Sequence, residues 1–422
     1  MRVVRFRLIA VGLVLLLLAA ACGDDEGEST TTEATTTTEA ATTTTQATTT
    51  TEATTTTEAT TTTAAAPPIK IMSMGAYSGL IANPEIAPAV DAAIQGINRD
   101  GGINGVMLEQ IVCDTEGDPN LEAECAQQAV DEGVAAVIGS IFISGADAYA
   151  ILEAAGIPVI GGVINTQSDF TSPVSFPTGS GLVGSAANLS AGLADAGATT
   201  LATVYVDLPQ AAAIPMFGNA GLARYSLEYS VTVPVPLGAP DMATYVAAAT
   251  SGGVDGVSIF LSGQDALNFV VALKQANPDM ITAIMMSQMD ETLAALGASA
   301  EGLIFPASYP TNMEDPAVQR YYADMEAAGA EETGGNASAV YAGVLVFAEV
   351  AAGLDEVTGP AMLAALPAAG VIDVGLIGPL DFSQGGLLSL PRLFQACHGL
   401  AVIENGEPVG LGSRNFLTGE AC

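Results

Sequence analysis

AVDAAIQGINRDGGINGVMLEQIVCDTEGDPNLEAECAQQAVDEGVAAVIGS, residues 89–140, is the stretch whose reading decides the fold. It opens with Ala, Val and Ile at helical spacing, and Gly101 and Gly102 break that pattern. VMLEQIVCD follows as a strand, residues 121–132 return to the helical period, and VAAVIGS is a second strand. Short, nearly continuous apolar strands alternating with helices predict a parallel sheet covered on both faces.

The same alternation extends in both directions. IKIMSMG, residues 69–75, is an apolar strand, and residues 86–98 form the helix that enters the quoted stretch. Residues 146–155 are helical and IPVIGG is a fourth strand. The pattern restarts after the turn-rich VSFPTGSG. A helix over 182–194 precedes the strands LATVYVD, VTVPVPL, GVSIFLS and ITAIMMS, with helices near 214–225, 242–249 and 265–275 between them. EGLIFPASYP follows, then helices over 315–328, 337–352 and 361–366. The tail reads as strands joined by an ENGE hairpin turn. The fold class is α/β: two units in series, with a cleft expected between them beyond the carboxyl ends of the strands.

The N-terminus is of another kind. MRVVRFRLIAVGLVLLLLAAAC has a basic start, one apolar run and small residues before Cys22, the layout of a secretory signal over residues 1–21. Its apolar run is too short to suit a stable membrane span. The end of this segment resembles a bacterial lipobox, with lipid on Cys22 after cleavage. Residues 22–68 begin with the acidic GDDEGEST after Cys22 and continue as near-repeats of TTTTEA, with almost nothing to bury, so a disordered tether is expected. Residues 69–422 are enough for two cores.

The formal charge is −36, and loss of the signal's three arginines takes it to −39. That excludes nucleic acid and electrostatic adhesion to anionic lipid as partners. Four cysteines remain in the mature body. Spacing favours Cys113 with Cys125 and Cys397 with Cys422, the other pairings or free thiols being the alternatives. No metal or cofactor is expected: the cysteine spacings match no zinc pattern, and His398 is the sole histidine.

The quoted stretch, together with GIPVIGG, EGLIFPASYP and GPLDFSQGG, resembles the extracytoplasmic solute-binding proteins of ABC importers of the leucine/isoleucine/valine-binding type. The resemblance covers residues 69–412. It implies the type I periplasmic-binding-protein fold, two Rossmann-like lobes joined by three crossovers. Lobe one would comprise 69–179 plus 310–376, and lobe two 180–309 plus 380–422. The hinge would lie near 176–179, 306–309 and 378–382. It further implies a monomer that captures a small amino-acid-like or amide solute, delivers it to a permease and ATPase, and is lipid-anchored outside the cell membrane. A tethered sensor with the same fold is the alternative.

In that family lobe one holds the solute's carboxylate with backbone N–H groups and hydroxyls, and lobe two offers a carboxylate to its ammonium. An unmatched charge taken from water is costly, so each end needs a partner. Carried onto this chain, the lobe-one candidates are Tyr77 and Ser78 after the first strand, Ser140, Phe142 and Ser144 after the third, and Asn165 and Thr166 after the fourth. In lobe two they are Asp207, Gln210, Gln288 and Asp290. Each has a plainer role open to it: helix caps for the serines and aspartates, a turn for Asn165, core for Phe142. The chain departs from the family where Pro84 and Ala211 stand at aromatic positions, which widens the expected solute class beyond leucine, isoleucine and valine. No G-x-S-x-G, H-E-x-x-H or histidine cluster is present, so an enzyme is not expected.

Overall fold

The structure is a computed structural model that describes residues 66–422 except 80–81, 262, 286–288, 308–311, 332 and 335. The signal segment, Cys22 and the repeats before residue 66 lie outside the described residues. The first run is β1 (Ile69–Gly75), α1 (Ile86–Arg99), β2 (Leu108–Asp114), α2 (Pro119–Glu132), β3 (Ala136–Ile138), α3 (Ala146–Ala155), β4 (Val159–Ile160), α4 (Gln167–Thr171) and β5 (Ser175–Phe176). Its five strands make one parallel sheet in the order β2-β1-β3-β4-β5. Local chemistry sets the boundaries. Asp118 caps α2 through the Asn120 N–H at 2.8 Å, Pro119 stands in its first turn, and Gly133 ends it in the left-handed conformation. The buried face of α1 carries Ile86, Ala89, Val90, Ala93, Ile94 and Ile97, a helical period laid against the sheet.

The second run is α5 (Gly181–Asp195), β6 (Leu201–Val206), α6 (Ile214–Leu222), β7 (Tyr229–Val235), α7 (Ala243–Ala249), β8 (Gly256–Phe260), α8 (Gly263–Ala276), β9 (Ile281–Ile284), α9 (Met289–Leu296) and β10 (Leu303–Pro306). After it, α10 (Pro316–Ala328), α11 (Ala337–Ala351) and α12 (Gly359–Ala365) pack back into the core of the first sheet through Tyr321, Met325, Tyr341, Phe347 and Met362. A short antiparallel pair, β11 (Val371–Ile372) and β12 (Leu380–Asp381), follows. The hairpin β13 (Cys397–Glu404) and β14 (Glu407–Asn415) turns at Asn405-Gly406 and adds antiparallel to β10. The second sheet thus runs β14-β13-β10-β9-β8-β6-β7. Each sheet has its own core, with Phe176 and Phe347 buried in the first and Phe269 and Phe305 in the second. Burying such a ring contributes about 1.5–3 kcal/mol.

Leu380 and Phe382 pack in the first core. Phe382 meets Phe176 edge-on at 5.3 Å, and Phe394 stacks on Phe176 at 6.4 Å. Arg392 lies 4.3 Å over the Phe176 ring and donates from Nε to the Ser175 carbonyl. Aromatic burial and this cation–π contact hold residues 382–394 against the first core. Ala396 then packs with Ala187 of α5 and Phe416.

Disulfides join Cys113 to Cys125 and Cys397 to Cys422, the pairing that spacing favoured. The first ties β2 to α2, and the second ties β13 to the C-terminus. Two short helices lacked a sequence reading. The five-residue α4 is too short to show a period. No expectation was drawn for 289–296, where α9 lies.

Candidate functional site

The carboxyl ends of β1, β3 and β4 lie side by side. Isolated parallel bridges, Gly75 with Ile141 and Ile141 with Val163, extend the pairing into the loops beyond them. Most of the lobe-one candidates therefore share one edge, although they do different work there.

In the loop after β1, Tyr77 is 9% exposed and its hydroxyl donates to the Gly139 carbonyl at 2.7 Å. Burial pushes this phenol well above its ordinary range. The Tyr77 and Ser78 N–H groups donate to Asp114 Oδ1 at 3.1 and 3.3 Å, as does the Glu116 N–H at 2.9 Å. Partial burial works against ionised Asp114, but the Ser78 hydroxyl and these N–H groups prevail and hold its carboxyl below the usual range. Ser78 itself is exposed.

In the loop after β3, Phe142 is fully buried and packs on Tyr149 at 5.2 Å, a core position rather than an open wall. Ser140 is 1% exposed, and its hydroxyl has no hydrogen-bond partner among the described residues. It faces Gly162, where a Cβ would stand 2.2 Å from Ser140 Oγ, so a larger residue there would force the serine side chain to shift. Ser144 is exposed, but its N–H is engaged. The N–H groups of Ile143, Ser144 and Gly145, the residues leading into α3, all donate to the carboxylate of Glu122; the Gly145 bond is 2.8 Å.

In the loop after β4, Asn165 is exposed and its amide donates to the Phe142 carbonyl at 2.9 Å, tying two loops together. Thr166 caps α4 in a reciprocal box with Asp169. The Asn165 and Thr166 N–H groups donate to Asp169 Oδ2 at 2.9 and 2.6 Å, and Tyr149 donates to Oδ1 at 2.8 Å. Burial nonetheless raises the Asp169 carboxyl above its ordinary range.

The second lobe contributes less. Asp207 is exposed at the end of β6, with its N–H on the Val235 carbonyl. Gln210 lies in the 3₁₀ turn Pro209–Ala213 and Asp290 in the first turn of α9, both described for backbone only. Gln288 is outside the described residues. Sequence reasoning missed Asp114, Glu122 and Asp169. The T-x-x-D spacing of Thr166 and Asp169 was a readable capping signal; nothing local marks Glu122, whose partners lie 21 to 23 residues away. No three metal-ligating side chains come together among the described residues. A groove of about 520 Å³ opens at the other end of the first lobe, between Asp100, Asn104, Arg320 and Glu349. It is remote from the carboxyl strand ends at which open parallel sheets bind their ligands.

Comparison with known proteins matches this architecture. The family model for periplasmic binding proteins matches residues 68–387. A second model, for the new glue protein family, matches residues 1–75, a span that includes the threonine repeats. No match was found among curated proteins. Among solved structures, an extracellular ligand-binding receptor from Verminephrobacter eiseniae is 19% identical, covering 81% of this chain and 100% of its own, with a TM-score of 0.68. An ABC transporter substrate-binding protein from Desulfitobacterium hafniense, in complex with Leu, is 19% identical over 82% of this chain and 100% of its own, TM-score 0.64. The branched-chain amino acid substrate-binding protein LivJ from Streptococcus pneumoniae, in complex with isoleucine, is 18% identical over 82% and 99%, TM-score 0.63. At such identities these likenesses speak for the fold. The family match runs from the start of β1 past β12, through both sheets, and on that extent the chain belongs to the periplasmic binding protein family, a family of solute binders rather than enzymes.

Proposed function

We propose that this protein captures a small amino-acid-like or amide solute by closure of its two lobes and delivers it to an ABC permease, while lipid on Cys22 keeps it at the membrane. Family membership places the folded body outside the cytoplasm. Among the described residues no helix is long and apolar enough to cross a membrane. The reading is supported above all by one arrangement: Ser78, Ser144 and Asn165 are exposed on three loops that bridging brings to a single carboxyl edge. Two of the similar structures hold leucine and isoleucine. Closure follows when one solute touches both lobes, because only the closed form then gains all the contacts.

The test is a thermal-shift panel of amino acids, short amides, urea and carboxylates on the mature chain. A true solute at a hundred times its Kd stabilises by about 2.7 kcal/mol. Ser144→Ala and Asn165→Ala should weaken the hit, and a panel with no hit would sink the solute class. Cys22→Ser should release the protein from the membrane fraction; retention there would remove the anchor from this reading.

A further inference from the structure

We propose that Glu122 is a specificity determinant: by filling three N–H donors of the loop between β3 and α3 with the chain's own carboxylate, it bars a solute carboxylate from this edge of the first lobe. This rests on the reading that solute binds at that edge. Glu122 is 1% exposed, and no lysine or arginine pairs with it among the described residues. Its charge is balanced by the N–H groups of Ile143, Ser144 and Gly145 and by the positive end of α3. A second carboxylate would have to displace it or sit beside it.

The neighbouring loops repeat the pattern. Asp114 takes the N–H groups of Tyr77, Ser78 and Glu116, and Asp169 takes those of Asn165 and Thr166. All three loops at the ends of β1, β3 and β4 thus have donors satisfied by internal carboxylates. An incoming anion would meet spent donors and like charge, both of which disfavour it. The buried Ser140 hydroxyl at this edge has no partner among the described residues and suits a neutral polar atom. The solute therefore turns an uncharged or cationic group, such as a carboxamide, toward the first lobe.

The test uses matched probes that differ only at this group: L-leucine with L-leucinamide, and isovalerate with isovaleramide. Each is titrated calorimetrically into the full chain, wild type, Glu122→Gln and Glu122→Ala. The wild type should prefer the amide member by at least about tenfold. Glu122→Ala frees the donors, so the preference should shrink or invert, and acetate should raise the Tm of this variant and not of the wild type. If Glu122→Ala does not fold, Glu122→Gln carries the comparison, since it removes the charge and keeps the size. A wild type that prefers the carboxylate member, or a preference unmoved by either variant, overturns the proposal. If no probe binds the wild type, the solute reading itself fails. Acetate rescue of Glu122→Ala then still reports whether the donors are Glu122's alone, and its absence would overturn that assignment too.

Discussion

Replacing Asp324 tests how the chain returning from the second lobe is fastened to the first. Its carboxylate is 2% exposed and joins three helices. It accepts the Tyr341 hydroxyl of α11 at 2.7 Å and Arg320 Nε of α10 at 3.4 Å, and it pairs with Arg99 at the end of α1. Losing one partner of a fully buried ion pair costs about 3–5 kcal/mol, because a charge is stranded. Here the two arginine side chains are 52% and 44% exposed, so both rehydrate and that stranding cost is largely avoided. What remains is the buried Tyr341 hydroxyl without its acceptor, about 1–3 kcal/mol, and the packing of the lost carboxyl. Asp324→Ala should therefore cost about 2–4 kcal/mol. Urea unfolding at constant m-value gives the number. A double-mutant cycle with Tyr341→Phe should show coupling of about 1 kcal/mol. Gly96→Ala is an independent check, since its Cβ would stand 2.1 Å from Asp324 Oδ2. A loss below about 0.5 kcal/mol for Asp324→Ala, or an additive cycle, would refute the hub.

Two further outcomes are expected. Cys113→Ser with Cys125→Ser opens a link across 12 residues, and the unfolded chain's regained freedom should cost about 3 kcal/mol in the same urea assay; a loss under about 1 kcal/mol would contradict the role given to this disulfide. Burial lowers His398 from 6.5 to about 4, so the unfolded chain takes up the proton first. Its contribution is complete above the unfolded value and is lost as pH falls from about 6.5 toward 4. The full shift would be worth about 3 kcal/mol, but His398 is half-buried, and about 1–2 kcal/mol is expected after discounting for solvent. His398→Asn should lose that much less stability between pH 7 and pH 4 than the wild type; equal losses would show that the ring is not the titrating group.

The alternation of apolar strands and helices in residues 69–306 was legible because period and punctuation are local properties. β1 and α3 lie where their apolar runs placed them, and the ENGE turn makes the expected hairpin. The disulfide pairs were favoured by spacing for the same reason, since neighbours in sequence meet cheaply. The packing of residues 382–394 on the first core was not legible. Phe176, Phe382 and Phe394 are more than 200 residues apart at the extremes, and they meet only once the chain is folded, with Arg392 over the Phe176 ring and its N–H on the Phe170 carbonyl.

The candidate edge divides in the same way. Sequence determined that Tyr77, Ser140, Phe142, Asn165 and Thr166 would fall on loops after parallel strands, because strand ends follow from the apolar pattern. Tertiary structure alone decided which of their polar groups are already spent. The Tyr77 hydroxyl goes to Gly139, and the N–H groups of the loop before α3 go to Glu122. A buried N–H must be satisfied by whichever acceptor packing brings within reach, and that acceptor sits on another element of the chain. The residue types at this edge are a property of the sequence; the charge that it presents to a solute is a property of the fold.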